Sequence, residues 1–167
     1  MNTDSSSCPV LVLGLGNILL EDEGLGIRAL ELLQQRYEIP SEVELLDGGT
    51  TGMGLLDDIS GRQHLLVLDA VQTGEPPGTL VKLAGDEVPV YFEMRISPHQ
   101  LGLSDVLATL ELSGERPAGV TVLGLVPESL EMCLQLSDLV NGRLDSLVEA
   151  AVKELDNLGY PLRAKTG

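Results

Sequence analysis

Four short, almost purely aliphatic runs limit what this chain can become: Pro9–Leu15 (PVLVLGL), Val43–Leu46, His64–Ala70 (HLLVLDA) and Val120–Val126 (VTVLGLV). A strand wet on one face would alternate apolar and polar residues, so continuous apolar runs mark strands buried on both faces. Only helices can cover such a sheet on both sides, and the intervening segments carry helical periods. Leu25, Ala29, Leu32 and Leu33 predict a helix ending near Tyr37, before Pro40, and a shorter one runs from Met53 to Ile59. Leu103, Val106, Leu107 and Leu110 predict another, opened by Ser97-Pro98, since serine caps and proline is pre-shaped for a first turn. Val140, Leu144, Leu147, Val148, Ala151, Leu155 and Leu158 form a long apolar stripe, with Ser137 as N-cap and Gly159 as stop.

Thr79–Leu83 follows the third strand after a Gly/Pro-rich loop too short for a helical crossover, which makes it antiparallel. The expectation is a single three-layer α/β/α domain with a mainly parallel twisted sheet and one antiparallel strand. It occupies residues 9–160, between a polar N-terminal tail (1–8) and a C-terminal tail (161–167).

Composition narrows the function. Of 167 residues, 34 are leucine, while the aromatics are only Tyr37, Tyr91, Phe92 and Tyr160, so the core is aliphatic and platforms for stacking bases or sugars are scarce. A net charge of -16 repels phosphate backbones and anionic lipid, which excludes nucleic acid and membrane surfaces as expected partners and favours a monomer. Cys8 and Cys133 form no CxxC pattern, so neither a disulfide framework nor a sulfur-rich metal site is legible, and a reducing cytoplasm fits best. The start, MNTDSSSC, has neither the basic patch nor the apolar stretch of a signal peptide.

Ligands of open α/β sheets bind beyond the carboxyl ends of the strands. Strand one runs there into GLGNILLEDEGLG, strand two into DGGTTG and strand three into Asp69. Gly14 and Gly16 begin a GxGxxG dinucleotide pattern, but Leu19 holds its third glycine position and Glu21, Asp22 and Glu23 crowd the place a pyrophosphate would take. The ordinary reading of that acidic trio is interaction with the helix dipole. Asp69 closes a run that should be buried, where an aspartate either bonds a neighbouring loop or serves a site. Asp47, in Asp-Gly-Gly, is first of all a turn residue. His64 begins a strand and reads as structural or surface. His99 sits at about the second position of a helix, where the dipole disfavours protonation and leaves an imidazole free to ligate a metal or accept a proton. Glu23, Asp69 and His99 together make an oxygen- and nitrogen-rich set suited to a borderline divalent metal.

At these same residues the sequence resembles the nickel-iron hydrogenase maturation proteases, endopeptidases that trim the C-terminal extension of a hydrogenase large subunit. The matching stretches are GLGNILLEDEGLGIR from Gly14, LLDGGTTGMGLL from Leu45, HLLVLDAV from His64, ISPHQLGLSDVL from Ile96 and GLVPESLE from Gly124. The resemblance implies a metal site of Glu23, Asp69 and His99, and a recognition loop of Asp47, Gly48, Gly49 and Thr50.

It also implies a substrate, the precursor of a [NiFe] hydrogenase large subunit, cleaved once nickel is installed in it. Nickel is then mainly a substrate-borne ion, and no organic cofactor is expected. With no serine or cysteine beside a base, an activated water is the expected nucleophile, with Asp69 or Asp47 as base. The rival readings are a nickel chaperone using the same ligands without cleavage and a nucleotide-dependent oxidoreductase.

Overall fold

The computed structural model describes residues 8–16, 21–49, 55–93, 98–128 and 136–166. Strand β1 (Val10–Leu15) leads through a short 3-10 turn, Glu21–Gly24, into helix α1 (Leu25–Arg36). There follow β2 (Tyr37–Glu38), β3 (Val43–Gly49), α2 (Leu56–Ile59), β4 (His64–Ala70), β5 (Leu80–Ala84), α3 (Glu87–Glu93), α4 (Pro98–Ser113), β6 (Gly119–Leu125), α5 (Asp138–Asn157) and β7 (Arg163–Ala164). The main sheet has the order β3-β1-β4-β6-β5. β3, β1, β4 and β6 are parallel, and β5 runs antiparallel to β6, as the short loop before it requires.

The three layers are visible in how side chains sort. On β1 and β4, Val10, Val12, Leu66 and Leu68 pack with α1 and α5, whereas Leu11, Leu13, Leu65 and Val67 pack with α2, α3 and α4. This sorting by alternate residues follows from the two-residue period of a strand, and it explains why the runs had to be apolar at every position. α5 starts where expected, with the Ser137 hydroxyl accepting from the Val140 N–H at 3.3 Å. Arg62, only 5% exposed, anchors the start of the sheet by donating to the carbonyls of Cys8 and Asp58 and to the Glu44 carboxylate, at 2.7, 2.8 and 2.7 Å.

Three features differ from the sequence reading. The segment Glu87–Glu93, given no element there, is helical. Residues 163–164 of the expected tail pair with β2 as a small antiparallel ribbon. Most consequentially, the second strand runs on through Gly49, so Asp47 and Gly48 lie within β3 instead of in a turn. Gly48 lies close to the neighbouring strand: a Cβ there would fall 2.8 Å from Leu13 Cδ1 and 3.0 Å from Leu15 Cδ2, so those side chains would have to shift.

At the amino end of the sheet, His64 joins a buried polar chain. The Thr121 hydroxyl donates to Glu154 at 3.5 Å, so its oxygen accepts from His64 Nε2–H at 3.0 Å, and Lys82 pairs with Glu154 at 2.8 Å. Burial pushes the His64 imidazole below its ordinary value; the Glu154 carboxylate opposes this and Lys82 adds to it. The folded protein therefore binds fewer protons here than the unfolded chain, and this stabilisation is complete above the ordinary imidazole range and lost as pH falls through it. The thermal midpoint should drop between about pH 7.5 and about pH 5, and His64→Gln should reduce that drop. Identical pH profiles for the two proteins would contradict this role.

Candidate functional site

The sheet order places the end of β1 between β3 and β4, and successive crossovers leave β1 in opposite directions. That reversal opens a crevice at the carboxyl ends of β1 and β4, the usual ligand position in such sheets. The crevice is closed from one side by backbone contact. Gly26, in the first turn of α1, lies so close that a Cβ would sit 2.1 Å from the Leu68 carbonyl oxygen and 2.7 Å from that of Leu15. Helix α1 thus rests directly on both strands, and the 3-10 turn before it touches β4.

This accounts for the glycines that suggested a dinucleotide. Gly14 is forced by the approach of α1, its missing Cβ falling 3.0 Å from the Gly26 carbonyl oxygen. Gly16 turns the chain out of β1 at a φ of 125°, in the left-handed region that favours glycine. The glycine that matters for helix packing is Gly26, beyond the motif's reach.

Asp69 sits at the next-to-last position of β4, 1% exposed, with its carboxylate accepting from the Ala70 N–H at 2.8 Å. Its neighbours Leu68 and Ala70 face α1 and α5, so Asp69 faces the layer of α4. Beside it on β6 stands Gly124, where a Cβ would fall 2.1 Å from the Asp69 carbonyl oxygen, so no side chain flanks the carboxylate from that strand. His99 is the second residue of α4, as the sequence suggested, and α4 packs on the Asp69 face. Glu23 lies in the 3-10 turn after β1. The side chains of Glu23 and His99 fall outside the described residues, as does Thr50. Among the described residues no three ligating side chains form a cluster.

Two assignments from sequence change. Asp47 pairs with Gly14, whose α-carbon faces α1, so Asp47 leaves the sheet on the α1 side and Asp69 on the other. Asp22 is not a dipole partner on the surface: it is fully buried and accepts from the Glu128 N–H (2.7 Å), the Ser137 N–H (2.8 Å) and the Ser137 hydroxyl (2.8 Å). Sequence reasoning singled out Glu23 as a ligand and gave Asp22 no inward role, because nothing in a run of three acids marks which one turns inward.

The close approach at Gly26 gives a direct test. Gly26→Ala should cost about 3 kcal/mol of stability, because the obstructing atoms are backbone carbonyls of central strands. Gly142→Ala, on α5 with nothing within 4 Å of the new Cβ, should instead be neutral or stabilising by up to about 1 kcal/mol. Chemical denaturation of both variants checks this, and a tolerated Gly26→Ala would contradict the packing argument.

The chain matches known proteins over most of its length. The sequence profile of HycI, hydrogenase maturation protease, matches residues 27–154. The chain is 47% identical over 151 residues to the hydrogenase 2 maturation protease of Escherichia coli (strain K12), covering 90% of this chain and 92% of that one. It is 43% identical over 148 residues to the hydrogenase expression/formation protein HupD of Rhodobacter capsulatus, covering 87% and 70%. Its structure superposes on the hydrogenase maturating endopeptidase HybD from E. coli with a TM-score of 0.91 at 46% identity, covering 93% and 97% of the two chains. On the [NiFe] hydrogenase maturation protease HybD from Thermococcus kodakarensis the TM-score is 0.72 at 30% identity, covering 87% and 97%.

Proposed function

Because this chain belongs to the hydrogenase maturation protease family and is accordingly a peptidase, we propose that its substrate is the precursor of a [NiFe] hydrogenase large subunit, which it recognises through nickel already installed there and trims at its C-terminal extension. The observation that carries the nickel reading is the placement of Asp69. A carboxylate 1% exposed ends a central strand at the switch point, beside the turn of Glu23 and on the face covered by the helix that begins with Pro98 and His99. A buried carboxylate at the carboxyl end of a central strand is a group that either serves the structure or serves a site, and Ala70 N–H is one of its donors.

In this reading Glu23, Asp69 and His99 bind the substrate's nickel, and holding that ion positions the scissile peptide, an orientation effect that lowers the barrier without a new nucleophile. Oxygen and imidazole donors suit nickel's borderline character. Water then attacks the peptide carbonyl carbon, the C–N bond breaks, and the proton taken from water passes to the departing amine. Asp69 or Asp47, the latter exposed near the end of β3 on the α1 side, is the candidate base. We further place this reaction in the cytoplasm and assign it to a monomer, supported by the sparse cysteines and the net charge of -16. A chaperone with the same ligands would hold nickel tightly in the free protein; three protein ligands predict moderate affinity and a largely metal-free purified enzyme.

Wild-type protein should shorten nickel-loaded precursor and leave nickel-free precursor intact. Glu23→Gln, Asp69→Asn and His99→Ala should each slow cleavage by about 100-fold or more. Asp69→Asn keeps an oxygen for the Ala70 N–H, so its stability should change by about 1 kcal/mol or less. Asp47→Asn should slow cleavage while nickel binding stays intact. Wild-type rates in all three ligand variants would overturn the nickel reading, and an unfolded Asp69→Asn would show that aspartate to be structural.

A further inference from the structure

The fully buried carboxylate of Asp22 lies beside the proposed nickel site yet takes no part in it, and its three hydrogen bonds define an unusual connection. Oδ2 accepts from the Glu128 N–H and the Ser137 hydroxyl, and Oδ1 from the Ser137 N–H. Asp22 belongs to the turn that follows β1, Glu128 to the segment that follows β6, and Ser137 is the cap of α5. In the sheet, β4 lies between β1 and β6. The bonds of Asp22 therefore span the carboxyl end of β4, the strand that carries Asp69.

We propose that Asp22 is a positioning residue for the reaction: by strapping the 3-10 turn to the β6 and α5 segments, it holds Glu23 at a fixed place relative to Asp69. This rests on the reading of Glu23 and Asp69 as the groups that engage nickel. The turn is only four residues long and is already bounded on its far side by the backbone contact of Gly26 with Leu15 and Leu68. With Asp22 held by three donors, the neighbouring backbone of Glu23 is fixed from both directions. A charged acceptor suits this task better than a neutral one, since charge-assisted bonds are short and strong, and all three here measure 2.7 or 2.8 Å. Asparagine has the same shape but would point an NH2 at one of these donors, so it breaks the strap without emptying the space.

The test compares Asp22→Asn and Ser137→Ala with Val148→Ala, a core truncation in α5 that touches none of these groups, all assayed where circular dichroism shows them folded. The readouts are single-turnover cleavage of nickel-loaded precursor, KM for that precursor, and binding of Ni(II) alone to the free enzyme. Asp22→Asn should lower kcat/KM at least tenfold and should weaken Ni(II) binding to a similar extent. Ser137→Ala, which removes the hydroxyl donor and keeps the two backbone ones, should lower kcat/KM about two- to fivefold, and Val148→Ala should leave kcat/KM at the wild-type value. Should Asp22→Asn fail to fold, Ser137→Ala decides, and wild-type kcat/KM and Ni(II) affinity in that variant overturn the proposal. It is equally overturned if Asp22→Asn folds with kcat/KM within twofold of wild type, or if Val148→Ala loses as much. A wild-type cleavage rate in Glu23→Gln would instead overturn the nickel reading, a result distinct from any of these.

Discussion

The carboxyl edge of this domain depends on a contact that contains no side chain: the backbone of Gly26 pressed onto the carbonyls of Leu15 and Leu68. Any Cβ at that place would lift α1 off the sheet, and with α1 would go the turn before it. Two neighbouring glycines extend the same arrangement, Gly14 beneath α1 and Gly124 beside Asp69. Close backbone packing is specific because carbonyl groups of central strands cannot move aside as a flexible side chain can. The edge that carries Asp22 and Asp69 thus rests on a rigid backbone frame.

The two ends of the sheet treat buried charge differently. At the amino end, His64, Thr121, Glu154 and Lys82 satisfy one another in a chain that links β4, β6, α5 and β5. At the carboxyl end, Asp22 accepts from Glu128 and Ser137, and Asp69 accepts from the Ala70 N–H on the face that α4 covers. Buried polar groups that are fully engaged make structure specific. On an acidic protein, a crevice furnished with carboxylates suits a metal cation better than a phosphate.

Much of this was legible from the chain because burial on both faces leaves a period that cannot be disguised. β1, β4, β6 and α5 follow directly from runs such as HLLVLDA and from the stripe from Val140 to Leu158. The antiparallel β5 followed from loop length. α3 was not legible, since Glu87–Glu93 contains Pro89 and the β-favouring Val88, Val90 and Tyr91, of which only Val88 and Tyr91 are buried. β2 and β7 are two residues each, too short for any period. Asp-Gly-Gly read as a turn because that is the usual use of the sequence, whereas Gly48 answers to Leu13 and Leu15 on the neighbouring strand. The burial of Asp69 at a strand end and the helical position of His99 were legible. The inward role of Asp22 and the packing role of Gly26 were not, because each depends on segments distant in sequence.

The central claim is that Glu23, Asp69 and His99 meet on one nickel ion at this edge. Crystals of the enzyme soaked with Ni(II) and measured at the nickel absorption edge test it most directly. The account predicts an anomalous peak within bonding distance of both carboxylates and the imidazole, with water completing the coordination. A peak bound elsewhere on the acidic surface, with none at the carboxyl ends of β1 and β4, would contradict it.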